Sequence, residues 1–186
     1  MRKNFGAKPY LYPQPVLIVA AYDIQGKANA MNVAWAGMSE GHHIRMCLSN
    51  NHRTVNNILM LRAFTISVGT VDKVAACDYL GIVSGNTETR KLEKAGFTVT
   101  KSEFVNAPII NELPLTLECK LKSYDLETGE MVGEIVNVSA DESIVTDDKI
   151  DTSKLHAICY GPINHHYLRI GEEVGVAFED GEKLIY

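Results

Sequence analysis

One hairpin constrains this chain more than any other feature. Leu115, Leu117, Cys119 and Leu121 stand at every second position of Leu115 to Tyr124 with polar neighbours between them, the pattern of a strand with one buried face. Ala107-Pro108-Ile109-Ile110 and Leu113-Pro114 form an extended lead-in. Glu127-Thr128-Gly129-Glu130 supplies a turn, and Met131 to Ala140 returns with Val132, Gly133, Ile135 and Val138 as its apolar set. Long strands joined by a turn this tight pair antiparallel.

The earlier half repeats the theme. Val16 to Ala21 reads as a buried strand, Asp23-Ile24-Gln25-Gly26 as a turn, and Asn29 to Trp35 as the second strand of a hairpin. Ile44 to Leu48 and Ala63 to Val68 are further strands, separated by a helix over Val55 to Leu61. Val74 to Leu80 reads as a helix broken by Ile82-Val83-Ser84-Gly85, and Glu88 to Lys94 as a short helix ended by Gly96. Asp141 to Lys149 is acidic and polar and reads as a solvated loop. The class is mainly β, with an antiparallel core and flanking helices.

Length and composition bound the function. At 186 residues the chain fits one domain, residues 1–186, with 1–12 as an N-terminal arm lacking periodicity. A net charge of -5 leaves no electrostatic footprint for nucleic acid. No apolar run is long enough to span a bilayer, and Val16 to Ala21 is too short for a signal-peptide core, so the expectation is a cytoplasmic protein without a membrane partner. Cys47, Cys77, Cys119 and Cys159 lie far apart and are expected reduced. Neither they nor the pairs His42-His43 and His165-His166 have the spacing of metal ligands, so no metal is expected.

The stretch most suggestive of chemistry is Ser49-Asn50-Asn51-His52-Arg53-Thr54, at the start of the Val55 helix with Thr54 placed as its N-cap. Unpaired N–H groups and the helix dipole attract an anion there. Arg53 adds a fixed cation, and Ser49, Asn50 and Thr54 add neutral donors. A capped turn with a surface arginine is the other reading. On the second strand, Ala30, Asn32 and Ala34 share a small, polar face that a flat ring could approach. Met31, Val33 and Trp35 share a larger face suited to a core, with Trp35 a core or interface aromatic.

Gly26-Lys27-Ala28-Asn29-Ala30-Met31-Asn32-Val33-Ala34-Trp35-Ala36-Gly37 resembles the second-strand signature of the flavin reductase-like, FMN-binding split-barrel family, and of its flavoredoxin branch in particular. Arg53-Thr54 with Asn57-Ile58 resembles that family's phosphate-side turn. Gly81-Ile82-Val83-Ser84-Gly85, Lys91 and Ala95-Gly96 resemble the segment that closes over the flavin. The hairpin lead-in, and Gly161 to Arg169 with His165, His166 and Tyr167 as candidates for a pocket wall, resemble later segments. Each of these three also fits a purely structural role.

The resemblance implies a six-stranded antiparallel split β-barrel of Greek-key type, and a homodimer with FMN near the subunit contact. FMN would be bound by Ala30, Met31 and Asn32 at the ring, by Ser49, Asn50, Arg53 and Thr54 at the phosphate, and by Ser84 and Lys91. This chain has Asn32 and Ala34 where other members carry Thr or Ser, and Arg90-Lys91-Leu92 where Asp-Lys-Phe is frequent. Glu118 and Cys119 fit a buried framework role. No catalytic side chain is required, because the flavin carries the redox chemistry. The expected function is a flavin reductase-like oxidoreductase passing electrons through FMN, from NAD(P)H. No G-x-G-x-x-G follows a strand, so a nicotinamide would have no Rossmann pocket. The alternatives are a flavoredoxin-type carrier reduced by a protein partner, or a split-barrel binding protein without flavin.

Overall fold

The structure is a computed structural model and describes residues 1–185. Tyr186, the last residue of the expected domain, lies outside the described residues. The chain runs β1 (Gln14–Pro15), β2 (Leu17–Tyr22), β3 (Ala28–Val33), β4 (Ala36–Met38), β5 (His43–Cys47), α1 (Arg53–Leu61) and β6 (Ala63–Val68). It continues through α2 (Val74–Ile82), α3 (Lys91–Lys94), β7 (Val99–Lys101), β8 (Pro108–Ile110), β9 (Leu115–Tyr124) and β10 (Glu130–Ala140). The last elements are β11 (Val145–Thr146), β12 (Lys149–Ile150), α4 (Thr152–Leu155), β13 (Ile158–Gly161) and β14 (His166–Arg169). The expected loop at Asp141 to Lys149 therefore holds most of a small two-stranded ribbon, β11 with β12.

The main sheet has seven antiparallel strands in the order β3-β2-β6-β9-β10-β5-β4. Its two ends are consecutive in sequence. Only Ala34 and Trp35 separate β3 from β4, so the sheet must curl until its edges meet. This is the split barrel, and β3 and β4 together make the sixth strand of the expected count. From β5 the chain crosses as α1 and enters β6 between β2 and β9, which gives the Greek-key step.

β2 is buried on both faces, which explains its unbroken apolar run. Leu17, Val19 and Ala21 join Met31, Val33, Phe64, Ile66 and Met131 inside the barrel. Ile18 and Ala20 point outward into a second layer with Ala30, Cys77, Leu80 and Leu92. Each fully buried side chain of this size is worth about 1.5–3 kcal/mol. Gly133 is required by packing, since a Cβ there would stand 2.4 Å from the Phe64 ring. In β10, Met131, Gly133 and Ile135 face inward by strict alternation, and Val138, expected among the apolar set, is exposed.

Two expectations from polarity are corrected. β9 is half-buried only in its second half, where Lys120 and Lys122 are exposed; in the first half Thr116 and Glu118, on its polar face, are buried as well. The Thr116 hydroxyl pairs with that of Ser67 at 2.8 Å, and Glu118 accepts from Ser102 and, at 2.7 Å, from Asn137. Trp35 is no core residue: it is 61% exposed, because it lies in the break between β3 and β4 where alternation no longer fixes direction. Residues 1–12 form no helix or strand. Among the described residues no helix is long and apolar enough to cross a membrane.

Candidate functional site

The outer layer leaves a cavity of about 1070 Å³ against β3, bounded by the α1 turn, the α2–α3 connection and β13–β14. Its volume is just above the usual range of small-molecule sites, roughly 300–1,000 Å³. Pro9 of the arm also reaches it.

One end is the corner where β5 passes into α1. The helix begins at Arg53, and the flanking His52 is extended and makes no side-chain cap. The expected Thr54 cap is thus corrected. Thr54 already lies in the first turn, and its hydroxyl accepts from Asn29 Nδ2 at 2.7 Å instead. The first helical bond runs from Asn56 N to the His52 carbonyl at 3.2 Å, so the N–H groups of Arg53, Thr54 and Val55 precede it. Ser49 and Arg53 line the corner with them. Arg53 is held from behind, its Nη2 donating to Asp23 Oδ2 at 3.0 Å. Burial alone would raise the Asp23 carboxyl. Hydrogen bonds from Lys27 N, Arg53 and Gln25 N outweigh that and hold it below its ordinary range, so it stays charged and pins the guanidinium.

The other part is the inner wall along β3. Gly85 lies on Asn29 so closely that a Cβ would stand 2.4 Å from Asn29 Oδ1, which brings Ser84 to the cavity edge. Lys91 is 3% exposed, and its ammonium donates to the Ala30 carbonyl at 2.9 Å. Among the described residues it has no carboxylate partner, and burial pulls its pKa down to about 8. It is no solvated helix residue. Further along, Asn32 Nδ2 donates to the Cys77 carbonyl at 3.0 Å and to Tyr167 Oη at 3.3 Å. Tyr167 in turn donates to Asp78 Oδ1 at 2.8 Å. Burial, and then the Asp78 carboxylate, push the Tyr167 hydroxyl well above its ordinary range. At the rim Tyr160 Oη meets His165 Nδ1 at 2.5 Å.

Of the residues expected to hold the cofactor, Met31, Asn32, Ser49, Arg53, Thr54, Ser84 and Lys91 line this one cavity. Ala30 does not: its side chain is buried in the outer layer and only its carbonyl takes part, through Lys91. Asn50 is exposed and lies outside the lining, where the neighbouring Asn51 stands instead. Tyr167 and His165 reach the cavity and His166 does not. Sequence reasoning missed Asn29, Asp78 and Tyr160. Asp78 carried a weak signal, as a charge inside an otherwise apolar helix. Among the described residues no group of three or more His, Cys, Asp or Glu side chains is placed to hold a metal.

The donor set suits an elongated anion with a flat, polar ring. Hydroxyl, guanidinium and helix N–H donors meet at the corner. Along the wall stand a buried amine, without a counter-charge among the described residues, and an amide whose nitrogen is already engaged by Cys77 and Tyr167. Asn29 and Asn32 are three residues apart, roughly 10 Å along a strand, so the two stations are well separated.

Residues 10–153 match the sequence model of a family described as "Flavin reductase like domain". The flavoredoxin of Desulfovibrio vulgaris (Miyazaki F) is 35% identical and superposes with a TM-score of 0.92, covering 97% of this chain and 100% of that one. A flavoredoxin from Methanosarcina acetivorans is 26% identical, with a TM-score of 0.88 and 99% of each chain covered. An FMN-binding domain of a flavin reductases-like enzyme from Shewanella baltica OS155 has a TM-score of 0.78 over 88% of this chain and 89% of that one. At 22% identity it shows the fold alone.

Proposed function

The chain belongs to the flavin reductase-like family, and from that premise we propose that it is an FMN-binding redox protein that takes electrons from NAD(P)H. The observation that carries this reading is the pairing, in one cavity, of an anion corner with a buried ammonium that no carboxylate among the described residues neutralises. Bound FMN would supply the redox chemistry, taking electrons from a donor and passing them to an acceptor. The chain's own work is to hold and tune it. Ser49, Arg53 and the first-turn N–H groups of α1 grip the phosphate dianion. Lys91 puts positive charge beside the ring, and Ser84 closes the edge of the cavity.

The structural likeness to flavoredoxins favours a second reading, a carrier reduced by a protein partner. We read the assembly as a homodimer. Exposed Trp35 and Leu11 line a second concavity, of about 560 Å³, which shares Trp35 and Cys47 with the first and would be covered by another copy. A cytoplasmic setting suits four unpaired thiols.

The test is an absorption spectrum of the purified protein, taken before and after anaerobic addition of NADH and of NADPH. Flavin bands that bleach with either nicotinamide support the reductase. Bands that bleach only with a chemical reductant support the carrier. A colourless protein that takes up no FMN overturns both. Light scattering at twice the chain mass supports the dimer, and a single-chain mass overturns it.

A further inference from the structure

The orientation of the Asn32 amide is fixed by its neighbours. The Cys77 carbonyl can only accept, so the amide nitrogen, not the oxygen, must face it at 3.0 Å. The Asp78 carboxylate accepts from the Tyr167 hydroxyl at 2.8 Å, so the Tyr167 oxygen is left to accept the second amide hydrogen at 3.3 Å. Both hydrogens of the amide are spent on the protein. Among the described residues Asn32 Oδ1 has no hydrogen-bond partner, on a residue that lines the cavity. The side chain therefore offers the cavity an acceptor and no donor. A Ser or Thr at this position could turn its hydroxyl to do either.

We propose that Asn32 is the specificity-determining acceptor of this site, taking a hydrogen bond from a ring N–H of the bound molecule, with Tyr167 and Asp78 as positioning residues that hold it. The proposal rests on the reading of the cavity as an FMN site. Oxidised flavin carries a single ring N–H, at N3, and that is the donor this acceptor selects. The relay ties β3 to α2 and β14, so the selecting atom is held from two elements besides its own strand. Molecules of similar shape without an N–H at that edge leave the acceptor buried and unpaired, which costs binding.

The experiment compares riboflavin 5′-phosphate with its 3-methyl analogue, which lacks the N–H, by fluorescence titration. The wild type should bind the analogue about tenfold more weakly. Asn32→Ala should bind both compounds equally, and as weakly as the wild type binds the analogue. Tyr167→Phe, which frees one amide hydrogen, should shrink the ratio between the compounds. A purely structural loss would weaken both and leave the ratio unmoved. The proposal is overturned if the wild type binds the two equally, if the ratio survives in Asn32→Ala, or if Asn32→Ala keeps full affinity for riboflavin 5′-phosphate. A wild type that binds neither compound overturns the FMN reading together with this one. A wild type that binds both without preference removes this inference alone.

Discussion

The corner at the start of α1 and the wall along β3 line one cavity, yet they are built in opposite ways. The corner is local. Ser49, Arg53 and the first-turn N–H groups come from adjacent residues, and Arg53 remains 43% exposed on its side chain. The wall is assembled at long range and is more deeply set, with Lys91 buried and Asn32, Asp78 and Tyr167 half-buried: Lys91 reaches Ala30 across 61 positions, and Tyr167 reaches Asn32 across 135. A local, solvated station can change without disturbing the fold. A long-range polar wall cannot, because each member completes the hydrogen bonds of another.

The sharpest test of that contrast is Arg53→Ala. Binding of riboflavin 5′-phosphate should weaken by about 1.5–3 kcal/mol, the value of a charge-assisted hydrogen bond. Fold stability should fall by no more than about 1 kcal/mol, since the lost ion pair is partly solvated. Isothermal titration and urea unfolding give the two numbers. A stability loss as large as the binding loss would make the corner part of the framework and erase the distinction.

Gly85→Ala probes the joint between the two regions. The added methyl meets Asn29, whose amide is the donor to Thr54. Neighbours must shift, so the variant should lose about 1–3 kcal/mol of stability in urea unfolding, with weaker binding besides. Unchanged stability would mean that corner and wall are not mechanically joined through this loop.

Lys91 supplies the pH test. With its pKa at about 8, it is ionised below that value and neutral above it. Ligand affinity should therefore fall as pH rises through about 8, by up to about 1.4 kcal/mol per pH unit. Ligand-free stability moves the other way. Between about 8 and 10.5 the unfolded lysine still holds a proton that the folded one has released, so stability rises with pH in that window. The buried thiols oppose it, because burial first of all pushes Cys77 up to about 11 and Cys119 to about 12. Their contribution is lost as pH climbs above the ordinary thiol value of 9.0. The difference between wild type and Lys91→Met isolates the lysine. A difference flat from pH 7.5 to 10 would put the amine in water and out of the wall.

The same contrast explains what could be read before the structure was known. The barrel was legible because the alternation in β9 marks a strand and the unbroken run in β2 reports burial directly, and the turn at Asp23 to Gly26 reports the first hairpin. The corner was legible because its residues are contiguous. Thr54 failed as a cap because Asn29, on the neighbouring strand, claims its hydroxyl, and nothing within Thr54's own segment records that. Only the core half of the Trp35 reading failed, because strand alternation was carried across a break that only pairing with β5 reveals. Asp78 left only the weak signal of a charge in an apolar helix, and Tyr167 was only a candidate wall residue, because a relay between distant elements leaves little local pattern. The resemblance supplied Ser84 and Lys91, and only the structure gives Lys91 its burial.

The smallest effect tests the corner from within. Asp23 Oδ1 accepts from Gln25 N at 3.0 Å and Lys27 N at 2.9 Å, while Oδ2 faces Arg53. Asp23→Asn keeps the turn, because the amide oxygen still accepts both N–H groups, and puts an amide NH2 opposite Arg53, so that both the charge and the hydrogen bond there are lost. Stability at pH 7 should drop by about 0.5–1 kcal/mol. Because the Asp23 pKa is depressed in the folded chain, its contribution is present above the ordinary value of 3.8 and is lost as pH falls through the folded value. The variant should therefore also be less sensitive to acid in that window. Urea midpoints at pH 7 and pH 3 measure both. A loss of several kcal/mol at pH 7 would mean that the Asp23–Arg53 pair holds the fold as the buried wall does, and the corner would no longer be the expendable half of the site.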